Sequence, residues 1–460
     1  MPSAPGDAVL ADLARELPGL EVAAPSAHHL RDAGAEQRSL VGAAAAVIVP
    51  RTVEQVQEAV AYCYSRDLPI VSRGGGSGLA GGAVPGEGAV VLDLVALDRF
   101  LSFEPELMRM HVETGVRTSE VRRRARENGL LFPPDPGAAE QSTIGGNVAT
   151  NAGGPHAFRY GPTGAWVTGL EAVVADGERI VLGGSTRKLV DGLDLKSTMV
   201  GSEGVLGVIT SVRLRLAPAP EAALPVAAAF ATDAEGCAAA LTVAAAGLPC
   251  AVLDFVDTNA FGPTRDSLPA GGAPPGFLLL AEVEGDEEEA RRARAELLEL
   301  LEPDATWTFA PTGIAEARAL WRWRDDVSLR LVALHGGKWS EDVVVPPERL
   351  CEAIARLGEI GSSVGLSTCS WGHAGDGNLH ATLFADLGDA DQAARAWEAG
   401  ERVLEMAREL GGGASGEHGI GSFKQAAIAA STPAPLAALQ RGVRAAFDPK
   451  GLFNPGKSLP

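Results

Sequence analysis

The 460-residue sequence predicts an α+β protein with more than one domain. Glycine-rich runs stand directly behind β-like segments in the first half. A Pro/Ala-rich stretch, "APAPEAALP" (217–225), then breaks the composition, and beyond it amphipathic helices alternate with short strands. The length itself exceeds what one simple core accommodates.

Taken in order, residues 1–41 read as a short helical lead, "DAVLADLARELPG", followed by loop. A T-x-x-Q capping box at Thr52 to Gln55 precedes Val53, Val56, Val60 and Cys63 at helical spacing. "LPIVSRG" reads as a strand running into "RGGGSGLAGG" (73–82), and further strands are expected at "AVVLDL" (89–94) and "RMHVETGV" (109–116). In "LEAVVADGERIVLG" (170–183), Asp176-Gly177 between two β-rich arms predicts a hairpin. "VITSVRLRL" puts Val212, Leu214 and Leu216 on one face and Arg213 and Arg215 on the other. Past the 217–225 linker come a helix at "DEEEARRARAELLELLEP" (286–303) and strands at "GFLLLAEV" (276–283) and "EDVVVP" (341–346). From about residue 411 glycine-rich loop and helix return.

The net charge of −20 disfavours nucleic acid and anionic membrane as partners, since both need clustered Lys and Arg. No run approaches the ~18 apolar residues of a membrane span. Asp7, Asp12 and Glu16 stand where a signal peptide needs basic and then apolar residues, so a cytoplasmic location is the default expectation. The five cysteines show no CxxC spacing, which argues against an iron–sulfur cluster or a disulfide framework.

Six glycines in the ten residues of "RGGGSGLAGG" let backbone approach a ligand and aim successive N–H groups at an anion. No GK[ST] follows, so this is not a P-loop, and no helix start or downstream acid completes a dinucleotide fingerprint. A phosphate cradle is the better reading than a surface turn. A second small-residue stretch, "PPDPGAAEQSTIGGNVATNAGGPHAFRYG" (133–161), suits a path packed along an extended ligand.

"RGGGSGLAGG", "PPDPG", "TIGGNVATNAGG", "YG", "GSEGVLGVIT" and "FNPGK", in this order, resemble flavoproteins of the vanillyl-alcohol oxidase type. The chain most resembles the FAD-linked D-2-hydroxyacid dehydrogenases, those of D-lactate, glycolate and D-2-hydroxyglutarate, from about residue 40 to the C-terminus. The likeness implies an FAD-binding domain of two subdomains (42–218), an α+β cap domain with an antiparallel sheet (219–410), and a segment (411–460) returning to the flavin domain. It implies that Arg73, Gly74, Gly75, Gly76, Ser77, Gly78 and Leu79 wrap the pyrophosphate. Pro136, Ser142, Thr143, Gly145, Gly146, Asn147, Asn151 and Gly153, with Glu203, Gly204, Ile209, Asn454 and Lys457, would line the rest of FAD. Members that attach flavin covalently through this loop have a histidine where this chain has Ser77, so non-covalent FAD is expected.

"GHAGDGNLH" (372–380) holds two of the eight histidines. Asp376-Gly377 is a favoured two-residue hairpin turn, and such a turn places His373 directly opposite His380, Cβ atoms ~5 Å apart. That spacing suits two imidazoles on one metal ion. Glu417 of "GEHGIG" would complete a His₂Glu set with open positions, as in catalytic sites. On the residues alone, histidines that cap loops or bind substrate without metal fit equally well; the resemblance favours the metal, because the matching positions are ligands in several relatives. Zn²⁺ is the first expectation, with Mn²⁺ or Fe²⁺ also compatible. On extended backbone His418 would point away from Glu417. In relatives the matching histidine is the base that takes the substrate hydroxyl proton, and a metal on that oxygen would ease its loss; the alternative is a structural histidine.

The resemblance implies a small anionic 2-hydroxyacid substrate. Arg324 and Lys338 match carboxylate-binding positions. By composition alone Arg324, with Arg322 and Arg330 nearby, reads as a solvated arginine. Ser328 falls where D-2-hydroxyglutarate relatives have threonine, and Thr382 replaces an asparagine that contacts substrate in some of them, which weakens the case for a long dicarboxylate. Alternatives on the same fold are an oxidase reducing O₂, an enzyme of another alcohol, or the flavin subunit of a multi-chain dehydrogenase. A metallohydrolase built on His373, His380 and Glu417 is the reading from another class, and the two glycine-rich loops argue against it. Electrons must leave to an external acceptor that no residue identifies, and a homodimer is one assembly the chain allows.

Overall fold

A computed structural model of the chain describes residues 5–186 and 188–459. It divides into two compact units: residues up to 153 with 162–219 and 417 onward, and residues 154–161 with 220–416.

The first unit holds two main sheets. In one, β1 (Glu21–Ala23), β2 (Ala44–Val49), β3 (Ile70–Arg73) and β4 (Ala89–Asp93) lie in the order β1-β2-β4-β3. β2, β4 and β3 are parallel, and β1 pairs antiparallel with β2. Parallel strands are covered on both faces and read as continuous apolar runs, as "AVVL" does here. Ile48, Val90 and Ile70 meet Leu13 and Leu17 of the helix Pro5–Glu16 and Val56, Val60 and Cys63 of the helix Val53–Ser65; Val47, Val71 and Val91 form a core on the other face. Thr52 caps the Val53–Ser65 helix as expected, through the N–H of Gln55. The reciprocal half of the box is displaced by one residue: the Gln55 side chain accepts from the N–H of Arg51.

The other sheet, antiparallel throughout, runs β5-β6-β10-β8-β9, from β5 (Phe100–Glu104) and β6 (Arg109–Glu113); β7 (Leu130–Leu131) lies outside it, and β8 (Val167–Val173), β9 (Arg179–Gly183) and β10 (Val208–Arg215) complete it. β11 (Ala217–Pro218) pairs with β7. The hairpin at Asp176-Gly177 forms, with φ of +56° and +81° at its two turn residues, the left-handed pair that matches strand twist. Val212 and Leu214 are buried, with Arg213 and Arg215 on the opposite face.

The second unit is one seven-stranded antiparallel sheet, order β15-β12-β14-β13-β17-β18-β16. Its strands are β12 (Ala222–Phe230), β13 (Cys250–Val256), β14 (Phe277–Gly285), β15 (Trp307–Phe309), β16 (Trp339–Val344), β17 (Thr368–His373) and β18 (Asn378–Leu383). The stretch expected as a linker is therefore largely strand: Ala217–Pro218 belong to β11 and β12 begins at Ala222. β12 is fully buried from Pro225 onward, where Ala227, Ala228 and Ala229 let helices approach. Leu278 and Leu280 face Phe261, Leu320 and Trp323 on one side, while Phe277 faces the helix Asp233–Ala245 at Gly236 on the other. Segment 154–161 is fastened to this sheet. Arg159 donates to the carbonyl of Pro249, Tyr160 to Glu284, and His156 lies 3.6 Å from Glu282. Among the described residues no helix is long and apolar enough to cross a membrane.

Candidate active site

In the first unit, β3 ends at Arg73 and the chain enters the glycine run. The carbonyls of Gly76 and Gly78 are taken by the N–H groups of Ala33 and Gly34. Among the described residues no acceptor reaches the N–H groups of Gly74 to Leu79. Six successive donors without a protein acceptor in a glycine run are a candidate anion nest. The glycines are required sterically as well. A Cβ at Gly75 would stand 1.9 Å from the carbonyl oxygen of Gln141, and Gly76 combines φ +68° with a Cβ position 1.9 Å from the Arg73 guanidinium.

Two buried cations back this nest. Arg73 donates to the carbonyl of Arg31 at 2.6 Å, and Lys457 to the carbonyl of Gly82 at 2.8 Å. Burial lowers the pKa of both, Lys457 to about 8, with Asp32 and Glu203 opposing the shift on Lys457. A cradle of free N–H groups with desolvated cations beside it fits a diphosphate. The other expected flavin residues are partly occupied in holding the loops. Ser142 and the amide of Asn147 both bond the Thr118 hydroxyl at 2.7 Å, Thr143 caps the helix Ile144–Thr150, and Asn151 ends it with φ +50° while its Oδ1 accepts from Gly164. Gly145 is pinned because a Cβ would meet Thr114. Glu203 accepts from the N–H groups of Ile420 and Gly421, and Asn454 donates to the carbonyl of Glu203, so both fasten the C-terminal segment. Gly204 has φ +76° and Ile209 is buried on β10. Pro136 and Gly153 lie in the two loops flanking this helix.

In the second unit β17 and β18 bring the two histidines together, by a register other than the expected one. His373 pairs with Asn378 and His380 with Trp371, so the connection spans Ala374 to Gly377 instead of a two-residue turn. The pairing is offset by two positions. Strand side chains alternate with period two, so the offset keeps both histidines on one face as diagonal neighbours. Their ring centroids are 5.6 Å apart, the planes nearly perpendicular, and ring nitrogens lie within 4.8 Å of one another. This pair fits one divalent ion. Glu417 and His418 belong to the first unit, on a bend. Contrary to the expectation of opposed side chains, His418 Nε2 is 3.4 Å from Glu417 Oε1, because the backbone there is not extended.

The strongest feature was not anticipated. Asp254, on β13 directly opposite His373, is wholly buried; it lies 2.6 Å from His373 Nδ1 and 2.8 Å from a guanidinium nitrogen of Arg324. Burial by itself would raise its pKa, but His373 and Arg324 outweigh that and hold it low. Arg324, at the end of the helix Ile314–Asp325, is thus buried and paired, correcting its reading as a solvated arginine. Asp342 on β16 is a second unanticipated hub, accepting from Asn378, from the Ser415 hydroxyl and from the N–H of Gly416. Lys338 donates to Ser328 at 2.7 Å and stands over the Trp371 ring; burial pushes its pKa down to about 8. Thr382 is fully buried on β18, its hydroxyl 2.9 Å from that of Ser340 on the neighbouring strand.

Residues 44–183 match the model of an FAD binding domain, and residues 219–458 that of the C-terminal domain of FAD linked oxidases. The chain is 33% identical to glycolate oxidase subunit GlcD of Bacillus subtilis, covering 90% of this chain and 88% of that one. It is also 33% identical to D-lactate dehydrogenase of Archaeoglobus fulgidus, over 89% and 90% of the two chains. Among solved structures, p-cresol methylhydroxylase with substrate bound superposes with a TM-score of 0.75 at 18% identity, covering 91% of this chain and 89% of that one, a likeness of fold.

Proposed function

Because the chain belongs to the FAD-linked oxidases, we propose that it oxidises a small D-2-hydroxy acid, of the size of D-lactate or glycolate, to the 2-oxo acid. Non-covalently bound FAD, when present, accepts the α-hydrogen as hydride. A divalent cation, Zn²⁺ in the first place, would be held by His373, His380 and Glu417 and would lower the pKa of the substrate hydroxyl. What supports Glu417 as the third ligand is its place in the chain: it directly follows Gly416, whose N–H is fixed by Asp342 on the strand next to His380.

The chain's own residues then have separable tasks. Lys338 and Arg324 hold the substrate carboxylate. Lys338, with a pKa of about 8, is charged at neutral pH, and an arriving carboxylate stabilises that charge. Asp254 engages one nitrogen of Arg324, leaving other donors of the fork for substrate. A ring nitrogen of His418 takes the hydroxyl proton as hydride leaves, and the neighbouring Glu417 carboxylate favours the imidazolium formed. Ser77 in the glycine run supports non-covalent attachment. An external acceptor would have to take the electrons away.

The observation that carries this reading is the joining of the His373 imidazole and the buried Arg324 through the one carboxylate of Asp254, with His380 beside His373 on the same face of the sheet. The test is anaerobic mixing of the yellow holoenzyme with D- and L-2-hydroxyacids, followed at the flavin absorbance. D-lactate or glycolate should bleach it and L-lactate should not, and acid precipitation should release all the colour. Flavin that dithionite reduces but no D-2-hydroxyacid bleaches would remove the assignment.

A further inference from the structure

We infer that Asp254 is a positioning residue that couples the two ends of the substrate site, orienting His373 as a ligand with one oxygen and Arg324 as a carboxylate holder with the other. The inference rests on the function proposed above. Its grounds are geometric. Oδ1 lies 2.6 Å from His373 Nδ1, and Oδ2 lies 2.8 Å from an Arg324 terminal nitrogen. The carboxylate has no exposed surface, so water does not substitute for either contact. It sits on β13 in the interior of the sheet, in register with His373, so that partner cannot drift while the strands remain paired, and Arg324 reaches it from the buried face of the helix Ile314–Asp325. A carboxylate accepting from Nδ1–H leaves Nε2 as the unprotonated nitrogen, the one a metal requires. Separate carboxylates would let metal affinity and substrate affinity vary independently. A shared one links them.

The linkage defines what substitutions do. Asp254→Ala removes both contacts. Asp254→Asn offers one carbonyl oxygen where the carboxylate has two, so it serves His373 or Arg324 and not both. Arg324→Met leaves the proposed ligands in place but strips a cation from Asp254, whose charge then bears on His373 alone.

The experiment uses FAD-loaded enzyme and three readings: the Mn²⁺ dissociation constant by electron paramagnetic resonance, the half-saturation for D-lactate in anaerobic flavin reduction, and the His373 tautomer by ¹⁵N–¹H NMR. Asp254→Ala should weaken Mn²⁺ binding by about 10–100-fold, raise the D-lactate half-saturation at least tenfold, and scramble the tautomer. Asp254→Asn should carry one of the first two losses, and Arg324→Met should tighten Mn²⁺ binding severalfold. Asp257→Asn is the control for burial alone, because Asp257 is equally buried but bonds Ser370 and the N–H of Ala260. If Asp254→Ala shifts these readings no more than Asp257→Asn, or Arg324→Met leaves the Mn²⁺ constant unchanged, the coupling is wrong. Parent enzyme that holds the Nδ1–H tautomer but takes up no Mn²⁺ instead overturns the metal part of the function, and the ligand role of Asp254 with it. If an Asp254 variant does not fold, Arg324→Met and the parent tautomer still decide.

Discussion

Lys457 provides a pH test of the flavin cradle. Its ammonium is nearly sealed from solvent, and burial brings its pKa to about 8. In an unfolded chain a lysine holds its proton to about pH 10.4. Between these values the unfolded chain binds a proton that the flavin-free fold lacks, so this group makes the flavin-free protein more stable as pH rises from about 8. FAD should act in the opposite sense. A diphosphate in the nest favours the ammonium, so binding above pH 8 must take up a proton, and affinity should fall up to tenfold per pH unit. Such a contact would be a desolvated, charge-assisted hydrogen bond, for which about 1.5–3 kcal/mol is typical. Lys457→Met should therefore weaken FAD binding by roughly 10–150-fold at pH 7, and should abolish the fall above pH 8. The assay is fluorescence titration of flavin-free protein with FAD from pH 6.5 to 9.5. Affinity that is flat with pH in the parent, or a variant that titrates like the parent, would refute the placement of the diphosphate beside Lys457.

Other expectations follow from the same geometry. Gly76→Ala should lose FAD, since it adds a Cβ 1.9 Å from the Arg73 guanidinium at φ +68°, whereas Gly129→Ala, at φ +69° in open space, should show the strain alone, about 1–3 kcal/mol by thermal melting. His418→Ala should slow the limiting rate of flavin reduction by about 10²–10⁴-fold even at saturating substrate, while Arg324→Ala should chiefly raise the half-saturation concentration; stopped-flow reduction across substrate concentrations separates them. Chelation should lower turnover with the flavin spectrum intact, restored by one divalent ion in the parent and not in His380→Ala. The second-order rate constant for substrate should decline above pH 8 as free Lys338 discharges, and Lys338→Met should flatten that limb.

The parts that depend on neighbours along the chain were legible before folding. Glycine run after strand, the left-handed turn at Asp176-Gly177, the alternation at Val212 to Arg215 and the helix at Val53 to Ser65 all follow from local backbone freedom and periodicity. So does the fact that His373 and His380 share a face, which survived a register offset because two residues return a strand to the same side. Short-range rules erred wherever a competing partner lay outside the window. Gln55 took the N–H one residue earlier, and the Pro/Ala stretch was drawn into β11 and β12 by strands waiting for partners. The centre of the site depends on contacts that form only on folding. Asp254 stands 119 positions from His373 in "AVLDFV", an unremarkable buried-strand sequence. Nothing within that run marks its one acid as functional. It is the folding of β13 against β17, and the exclusion of water from between them, that gives this carboxylate its two partners and its strength.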